Sequence, residues 1–262
     1  MQEKTLADFM KQAPAVLGVK KIIAVACAKG GVGKSSVTAN LAVTLQKKGL
    51  NIAVVDADIY GPSQAHLMNL QGKVEQKDGL ILPKISNGVK CISIASIIDF
   101  EAAGVWRGPM VTKILQQLIR SVNWKNDAVD VDIMLLDMPP GTGDVYLSIA
   151  ERFPLNGVIL VSTPQSLALI DLVKSINCFE KLKIPILGLI ENMSYLEING
   201  EKHYIFGQEA AQEFSKELKI KFFGKIPLIP EIAKLSDAKK LAVVESKEIA
   251  KIFEEIAKNL EV

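Results

Sequence analysis

Five apolar runs of strand length recur along the chain and alternate with segments of helical periodicity. The runs are IIAVACA at 22–28, IAVVDA at 52–57, VDIMLLD at 131–137, GVILVS at 157–162 and PILGLI at 185–190. They are continuous rather than alternating in polarity, which is typical of strands buried on both faces. The helical patterns lie at 34–48, 109–121, 165–182 and 208–218. This order predicts an α/β fold in which helices cover both faces of a mostly parallel sheet.

Two further segments complete the pattern. Residues 71–90 are polar and contain glycine, which predicts an irregular excursion with short strands. Near 246–260, one face of a predicted helix is apolar, while lysines and glutamates alternate around the other. A membrane-surface helix would have a basic polar face, so we expect this helix to dock on the sheet. Without a Pro/Gly/Ser-rich linker in the sequence, we predict an N-terminal extension over 1–18 and a single domain over 19–262.

Composition narrows the class of protein. Hydrophobic residues make up 49% of the chain and charged residues 23%, which is enough for a buried core. Lys and Arg number 31 against 29 Asp and Glu, and this balance does not favour nucleic acid or an anionic membrane as a partner. The N-terminus lacks the pattern of a signal peptide, and the three cysteines are far apart. These features predict a cytoplasmic protein.

The segment CAKGGVGKSS at 27–36 joins the first predicted strand to the first predicted helix. In that context glycines let backbone N–H groups approach phosphate oxygens, and the helix N-terminus adds its positive end. Lys34 is placed to neutralise the β and γ phosphates, and Ser35 to offer its hydroxyl to Mg²⁺. We therefore predict a P-loop that binds a nucleotide through Gly30, Gly31, Val32, Gly33, Lys34, Ser35 and Ser36.

Acidic residues follow two other predicted strands. Asp56 and Asp58 come two residues apart, which predicts that they face the same side of an extended chain. Asp137 ends the run VDIMLLD, where a Walker-B aspartate would hold Mg²⁺ through its water shell. Because the carboxyl ends of parallel strands meet at one edge, we expect these carboxylates to converge beside the loop. Gly141 and Gly143 predict a segment that moves when the γ-phosphate leaves.

These residues resemble a known family. The loop is similar to the deviant Walker A motif, K-G-G-V-G-K-[ST], of the MinD/ParA-like P-loop ATPases. Within that class the chain resembles the Mrp/ApbC group of iron–sulfur cluster carrier ATPases over about residues 19–240. The strings that carry the resemblance are, in order, DADIYGPS, WRGPM, DMPPGTGDV, STPQSLALID, ENMSY, HYIFG and GKIPL. It implies a slow, homodimeric, Mg²⁺-dependent ATP hydrolase with iron–sulfur apoproteins or assembly proteins as partners.

The resemblance also implies roles for single residues. Lys29 would reach across a two-fold dimer to the phosphates of the partner's nucleotide, as an arginine finger does. A solvated lysine at the mouth of the loop is the alternative. Asp58 would position the attacking water, while Ser35 and Asp137 would serve Mg²⁺. The adenine would be bordered by Asn192 and Pro227.

One motif of the family is missing. Between ENMSY and HYIFG the family usually has C-x-x-C, whose thiolates from two subunits would hold a bridging [4Fe–4S] cluster. Here residues 196–199 are LEIN, and the Asn-Gly pair at 199–200 predicts a tight hairpin. Cys27, Cys91 and Cys178 sit among apolar residues, where we interpret them as structural. The sequence thus predicts no iron–sulfur ligands, although the resemblance implies a cluster. Cys27, nearest the loop, could instead be a redox-sensitive thiol.

Three functions remain open from the sequence. The first is an ATPase of the cluster-carrier group whose cargo role is lost, shifted to other ligands or dependent on a partner. The second is an adaptor in which ATP closes a dimer and the closed surface recruits a protein. The third is a positioning ATPase that binds membrane or DNA, which the charge-balanced terminal helix disfavours.

Overall fold

An eight-stranded sheet forms the centre of the protein in the computed structural model. The structure describes residues 14–58, 61–97, 108–125, 129–141, 146, 149–150, 152–208 and 210–260. Most of the predicted extension over 1–18, Trp106 and Arg107 of the WRGPM string, and Gly143 lie outside the described residues. The strands are β1 (Val19–Ala26), β2 (Ile52–Asp56), β3 (Gln76–Lys77), β4 (Leu80–Ile81), β5 (Lys84–Ser86), β6 (Val89–Ile92), β7 (Val131–Asp137), β8 (Gly157–Ser162), β9 (Ile186–Asn192), β10 (Leu196–Ile198), β11 (Glu201–His203) and β12 (Phe222–Ile226).

The order of strands in the main sheet is β12-β9-β8-β1-β7-β2-β6-β5. All neighbours in it are parallel except β5 and β6, which form an antiparallel edge. Strand β1 lies between β7 and β8, and the other strands of the sheet extend on both sides of it. The loop that follows β1 therefore lies at a topological switch point of the sheet. In such folds ligands bind outside the carboxyl ends of the strands at this point.

Helices cover both faces of the sheet, as the sequence predicts. Two separate hydrophobic cores fill the space between sheet and helices, one containing Leu41 and Phe253 and the other Leu118 and Leu172. The helices are α1 (Lys34–Lys47), α2 (Gln64–Leu67), α3 (Gly108–Arg120), α4 (Ser166–Lys181), α5 (Ala210–Glu217), α6 (Pro230–Asp237), α7 (Ala242–Glu245) and α8 (Lys247–Asn259). None of the described helices is long and apolar enough to span a bilayer.

The terminal helix docks as expected. Its apolar stripe is buried against α1 and β12, with Ile249, Phe253 and Ile256 each at most 2% exposed. The excursion at 71–90 forms the β3–β4 hairpin and β5, and then enters β6. That last strand pairs with β2 and extends the main sheet, which the polar composition of the segment did not predict.

Candidate functional site

The loop between β1 and α1 turns through left-handed backbone conformations. Gly31 has φ 86° and Gly33 has φ 78°, a region that glycine adopts without strain. Helix α1 starts immediately afterwards at Lys34, so its first N–H groups open onto the loop. A cavity lies over this turn and is lined by Cys27, Gly30, Gly31, Val32, Gly33, Lys34, Ser35, Ser36, Asp58, Ser63 and Pro140. The geometry is that of an anion-binding loop at a helix N-terminus.

A buried ion pair joins the loop to the end of β7. The Lys34 ammonium contacts Asp137 Oδ1, and both side chains are almost fully buried. Lys34 also donates to Ser35 Oγ at 3.2 Å. Thr38, one helical turn along α1, donates its hydroxyl to the Lys34 carbonyl at 2.9 Å and lies 3.3 Å from the same Asp137 oxygen. Removing one partner of a buried ion pair strongly destabilises a protein, because the other charge is left buried without compensation. Lys34 and Asp137 therefore depend on each other.

Asp56 lies next to Asp137 in the sheet but has a different environment. The two residues are in register on β2 and β7, and Asp56 is fully buried. Its carboxylate accepts hydrogen bonds from the Gln64 backbone N–H at 3.0 Å and from the Ser93 hydroxyl at 3.2 Å. Burial, followed by the negative charge of Asp137, raises the pKa of Asp56 to about 8.

Asp56 and Asp58 differ in their exposure. Strand β2 ends at Asp56, and the Asp58 backbone N–H donates to Asp56 Oδ1 at 3.2 Å. Asp58 is partly exposed and lines the cavity over the loop, where its Oδ1 accepts from the Gly61 N–H at 3.2 Å. Asp56 instead anchors the backbone beneath it.

Gln64 is a site residue that sequence reasoning missed. Its side chain is fully buried, and its Nε2 donates to Asp137 Oδ2 at 2.8 Å and to the Ser35 carbonyl at 3.0 Å. Thr38 was missed as well. The spacing of four residues from Lys34 on a helix could have indicated Thr38, whereas the sequence has no signal for Gln64 beyond its position shortly after the Asp56–Asp58 pair.

Lys29 differs from Lys34 in its exposure, in its position relative to the cavity and in its ion pairing. It is exposed and does not line the cavity formed by its own chain. Its side chain makes no ion pair with any residue in the described ranges. The loop therefore directs one lysine inward and leaves the other at the surface.

A second, mostly apolar cavity adjoins the loop. Asn192 and Pro227, from the ends of β9 and β12, line it together with Gly33 and Ser36. Asn192 Nδ2 donates to the Val32 carbonyl at 2.8 Å, and a Cβ on Gly33 would collide with that nitrogen. The remaining wall is apolar and consists of Val37, Met193, Ile226, Leu228, Ile229, Ile232, Ala233 and Phe253, with Ser236 at the edge. A flat aromatic base fits such a lining.

The predicted hairpin is present. Strands β10 and β11 pair antiparallel, with Leu196 opposite His203, and the turn places Asn199 at φ 52° and Gly200 at φ 82°. Both central residues have positive φ, as in a type I′ turn. No residue of this hairpin is a cysteine, which is where the sequence departs from the family pattern.

The cysteines lie elsewhere and apart from one another. Cys27 and Cys91 are buried and Cys178 is half-buried. Burial raises the pKa of the Cys27 thiol to about 11 and also raises the pKa of Cys91 and Cys178, which opposes the thiolate form that binds iron. Within the described ranges, no three His, Cys, Asp or Glu side chains form a group that could hold a metal ion. These residues do not fit an iron–sulfur cluster.

The residues beside the loop do fit magnesium. Mg²⁺ prefers oxygen ligands and is usually held by one or two protein groups together with substrate phosphates. Lys34 contacts the Ser35 hydroxyl and the Asp137 carboxylate, while Gln64 Nε2 donates to the Ser35 backbone carbonyl and to Asp137, so both oxygen groups are held beside the loop. In addition, Gln64 Oε1 is a buried acceptor with no hydrogen-bond partner among the described residues.

Comparison with known proteins gives the family. The family model that describes ParA as the NUBPL iron-transfer P-loop NTPase matches residues 18–261. The iron–sulfur cluster transfer protein NUBPL of Dictyostelium discoideum is 38% identical over 259 residues, which cover 95% of this chain and 79% of that protein. An iron–sulfur cluster carrier protein of Aquifex aeolicus is 42% identical over 252 residues, covering 94% of this chain and 68% of that protein.

A solved structure agrees with these relatives. A nucleotide-binding protein from Archaeoglobus fulgidus, in complex with ADP, superposes with a TM-score of 0.74 at 33% identity. The match covers 91% of this chain and 93% of that chain. Because the family model spans nearly all of the described sheet and its helices, the loop and the strand ends belong to the matched region. The chain is therefore a member of the ParA family of NUBPL iron-transfer P-loop NTPases.

Proposed function

We propose that this chain is a homodimeric, Mg²⁺-dependent ATPase that acts in iron–sulfur cluster transfer. The observation that carries the proposal is the inward Lys34, which is held against Asp137 beside Ser35 at the mouth of a glycine-rich loop. Relatives named as cluster transfer and cluster carrier proteins support the biological role. The ADP complex of the Archaeoglobus fulgidus protein supports nucleotide binding.

The chain's own residues suggest how a triphosphate would be bound. The loop amides and the start of α1 would receive the phosphate oxygens, and Lys34 would exchange Asp137 for the β and γ phosphates. When bound, Mg²⁺ would be held by Ser35 and Asp137 and would supply further positive charge at the phosphates. The adenine would enter the apolar cavity bordered by Asn192 and Pro227.

Hydrolysis would need two further groups. Asp58, on the wall of the loop cavity, would accept a hydrogen bond from water and orient it for in-line attack on the γ-phosphate. Lys29 is exposed and does not line the cavity of its own chain, so we propose that it stabilises developing charge on another molecule. In a two-fold dimer that molecule would be the partner's nucleotide.

The two lysines give a direct test of the ATPase. Lys34→Ala should abolish binding of a fluorescent ATP analogue, because the phosphates lose their buried cation. Lys29→Ala should leave binding within about twofold and lower the hydrolysis rate on the order of 10³-fold, the effect of removing a trans-acting finger. Fluorescence titration and phosphate release measure the two quantities. Equal loss of binding in both variants would rule out a separate role for Lys29.

In this proposal the iron–sulfur cluster is cargo that passes between proteins, and not a resident cofactor of this chain. Because the β10–β11 hairpin has no thiolate, we propose that the cluster's ligands come from the client or assembly protein held by the closed dimer. The isolated chain, reconstituted anaerobically with iron and sulfide and then desalted, should retain less than about one iron per dimer. Retention of about four irons with a visible charge-transfer band would contradict this and make the three cysteines ligand candidates.

A further inference from the structure

Gln64 connects three separate parts of the site. It begins α2, and its backbone N–H is held by Asp56 at the end of β2 at 3.0 Å. Its side-chain amide reaches Asp137 at the end of β7 at 2.8 Å and the carbonyl of Ser35 in the first turn of α1 at 3.0 Å. One fully buried side chain therefore fixes the distance between the two residues proposed to bind magnesium.

The two oxygens of the Asp137 carboxylate have different partners. Oδ1 takes the Lys34 ammonium and the Thr38 hydroxyl, whereas Oδ2 takes the Gln64 amide. When Lys34 turns to the phosphates, Asp137 loses its cation. The Gln64 amide then remains as the main side-chain donor to the carboxylate, because the Thr38 hydroxyl has a nearer acceptor in the Lys34 carbonyl at 2.9 Å. Without the Gln64 donor, a fully buried oxygen would be left unpaired and free to rotate with its carboxylate.

The other atom of the amide is also informative. Gln64 Oε1 is buried and has no hydrogen-bond partner among the described residues, although buried polar atoms are usually paired. Packing alone would not require an amide at this position, because methionine has a similar length and no polar atom to satisfy. A free acceptor on the same amide that contacts Asp137 is suited to a water of the magnesium shell.

We infer that Gln64 is a positioning residue that orients Asp137 relative to Ser35 for magnesium. This inference rests on the proposed function, since it assumes that the loop binds a magnesium nucleotide. Gln64 contacts Asp137 and Ser35, the residues proposed to bind magnesium, and is not among the residues proposed to bind phosphate. How strongly nucleotide binding depends on Mg²⁺ should therefore change when Gln64 is replaced. The nucleotide's own affinity in the absence of metal should not depend on it.

The test compares nucleotide affinity with and without metal. A fluorescent, non-hydrolysable ATP analogue is titrated into the full chain in EDTA and then at increasing Mg²⁺. Gln64→Met should leave the EDTA affinity within about twofold and raise the Mg²⁺ concentration for half-maximal enhancement about tenfold, within the 10- to 100-fold range for outer-shell partners. Gln46→Met, at the far end of α1, makes the same chemical change away from the site and should behave as the wild type.

Two controls keep the outcomes separate. Thermal melting shows whether each variant is folded, and Gln64→Asn, which keeps an amide but is too short to reach both partners, decides the matter if the methionine variant fails to fold. An unchanged Mg²⁺ requirement in a folded variant, or an equal loss of affinity in EDTA, would overturn the inference while leaving the proposed function intact. A wild-type chain that binds no nucleotide, or binds it equally well without Mg²⁺, would instead overturn the proposed function.

Discussion

The carboxylates that end β2 and β7 lie side by side in the sheet but have different electrostatic environments. Asp137 is neutralised by Lys34, whereas Asp56 has backbone and hydroxyl donors but no ion pair with any residue that the structure describes. Burial and the neighbouring negative charge therefore favour the protonated form of Asp56. The strand-end positions of these acids were predictable from the sequence. Their opposite electrostatic roles were not, because those depend on which helix residue reaches each oxygen.

The raised pKa of Asp56 predicts a pH effect on stability. The folded protein holds this proton up to a pKa of about 8, whereas the unfolded chain releases it near 3.8. The contribution of Asp56 to the free energy of unfolding therefore falls as the pH rises between these values and is constant above them. Asp56→Asn removes the titration, so the stability of the wild type relative to this variant should decrease from pH 5 to pH 8. Urea unfolding of the nucleotide-free chain at a series of pH values measures this difference, and a constant or increasing difference would contradict it.

Among single residues, Gln64 is one whose role in the site could not be predicted from the sequence. The loop residues are predictable because glycine spacing and the invariable chemistry of phosphate demand those residue types. Gln64 is eight residues beyond Asp56, and it reaches Asp137 and Ser35 only because β2 and β7 are neighbours and α2 turns back toward α1. Long-range topology of this kind decides contacts that no local pattern contains.

Among the elements, α8 connects stability to the nucleotide cavity. Its apolar stripe was predicted from the period of the helix, and its docking against α1 and β12 is confirmed. One residue of that stripe, Phe253, also forms part of the wall of the apolar cavity beside Gly33. Strand β12 and helix α6, which complete this cavity, were not predicted, since they span only five and eight residues.

Truncating Phe253 should therefore affect both properties. Phe253→Ala removes a side chain that is 2% exposed and should lower the free energy of unfolding by about 3–5 kcal/mol. The folded fraction should also bind the ATP analogue more weakly, because the cavity loses part of its wall. Glu254→Ala, exposed on the same helix, should change stability by less than about 0.5 kcal/mol. Denaturant unfolding and fluorescence titration measure the two effects, and a loss of stability without any loss of affinity would separate α8 from the nucleotide cavity.

At the scale of the whole molecule, the two lysines of the loop point to different surroundings: Lys34 is buried within its own subunit, and Lys29 is exposed at the surface. Asp137 holds Lys34 inside its own subunit, while Lys29 is exposed and, in the dimer that we propose, would contact the partner's nucleotide. A single subunit would then have an incomplete site, and hydrolysis would depend on assembly. Sequence resemblance alone suggested this arrangement. The exposure of Lys29 is consistent with it.

Mixing two inactive variants tests this arrangement in solution. In a dimer of one Lys29→Ala subunit and one Lys34→Ala subunit, the first subunit binds nucleotide and the second supplies Lys29 to it. Each mixed dimer then has one complete site, and with free subunit exchange half of the dimers are mixed. Phosphate release should recover to roughly a quarter of the wild-type rate, although each variant alone is inactive. A mixture that remains inactive, although an untagged variant co-purifies with a tagged one in the presence of an ATP analogue, would mean that Lys29 acts within its own subunit and that each subunit is catalytically complete.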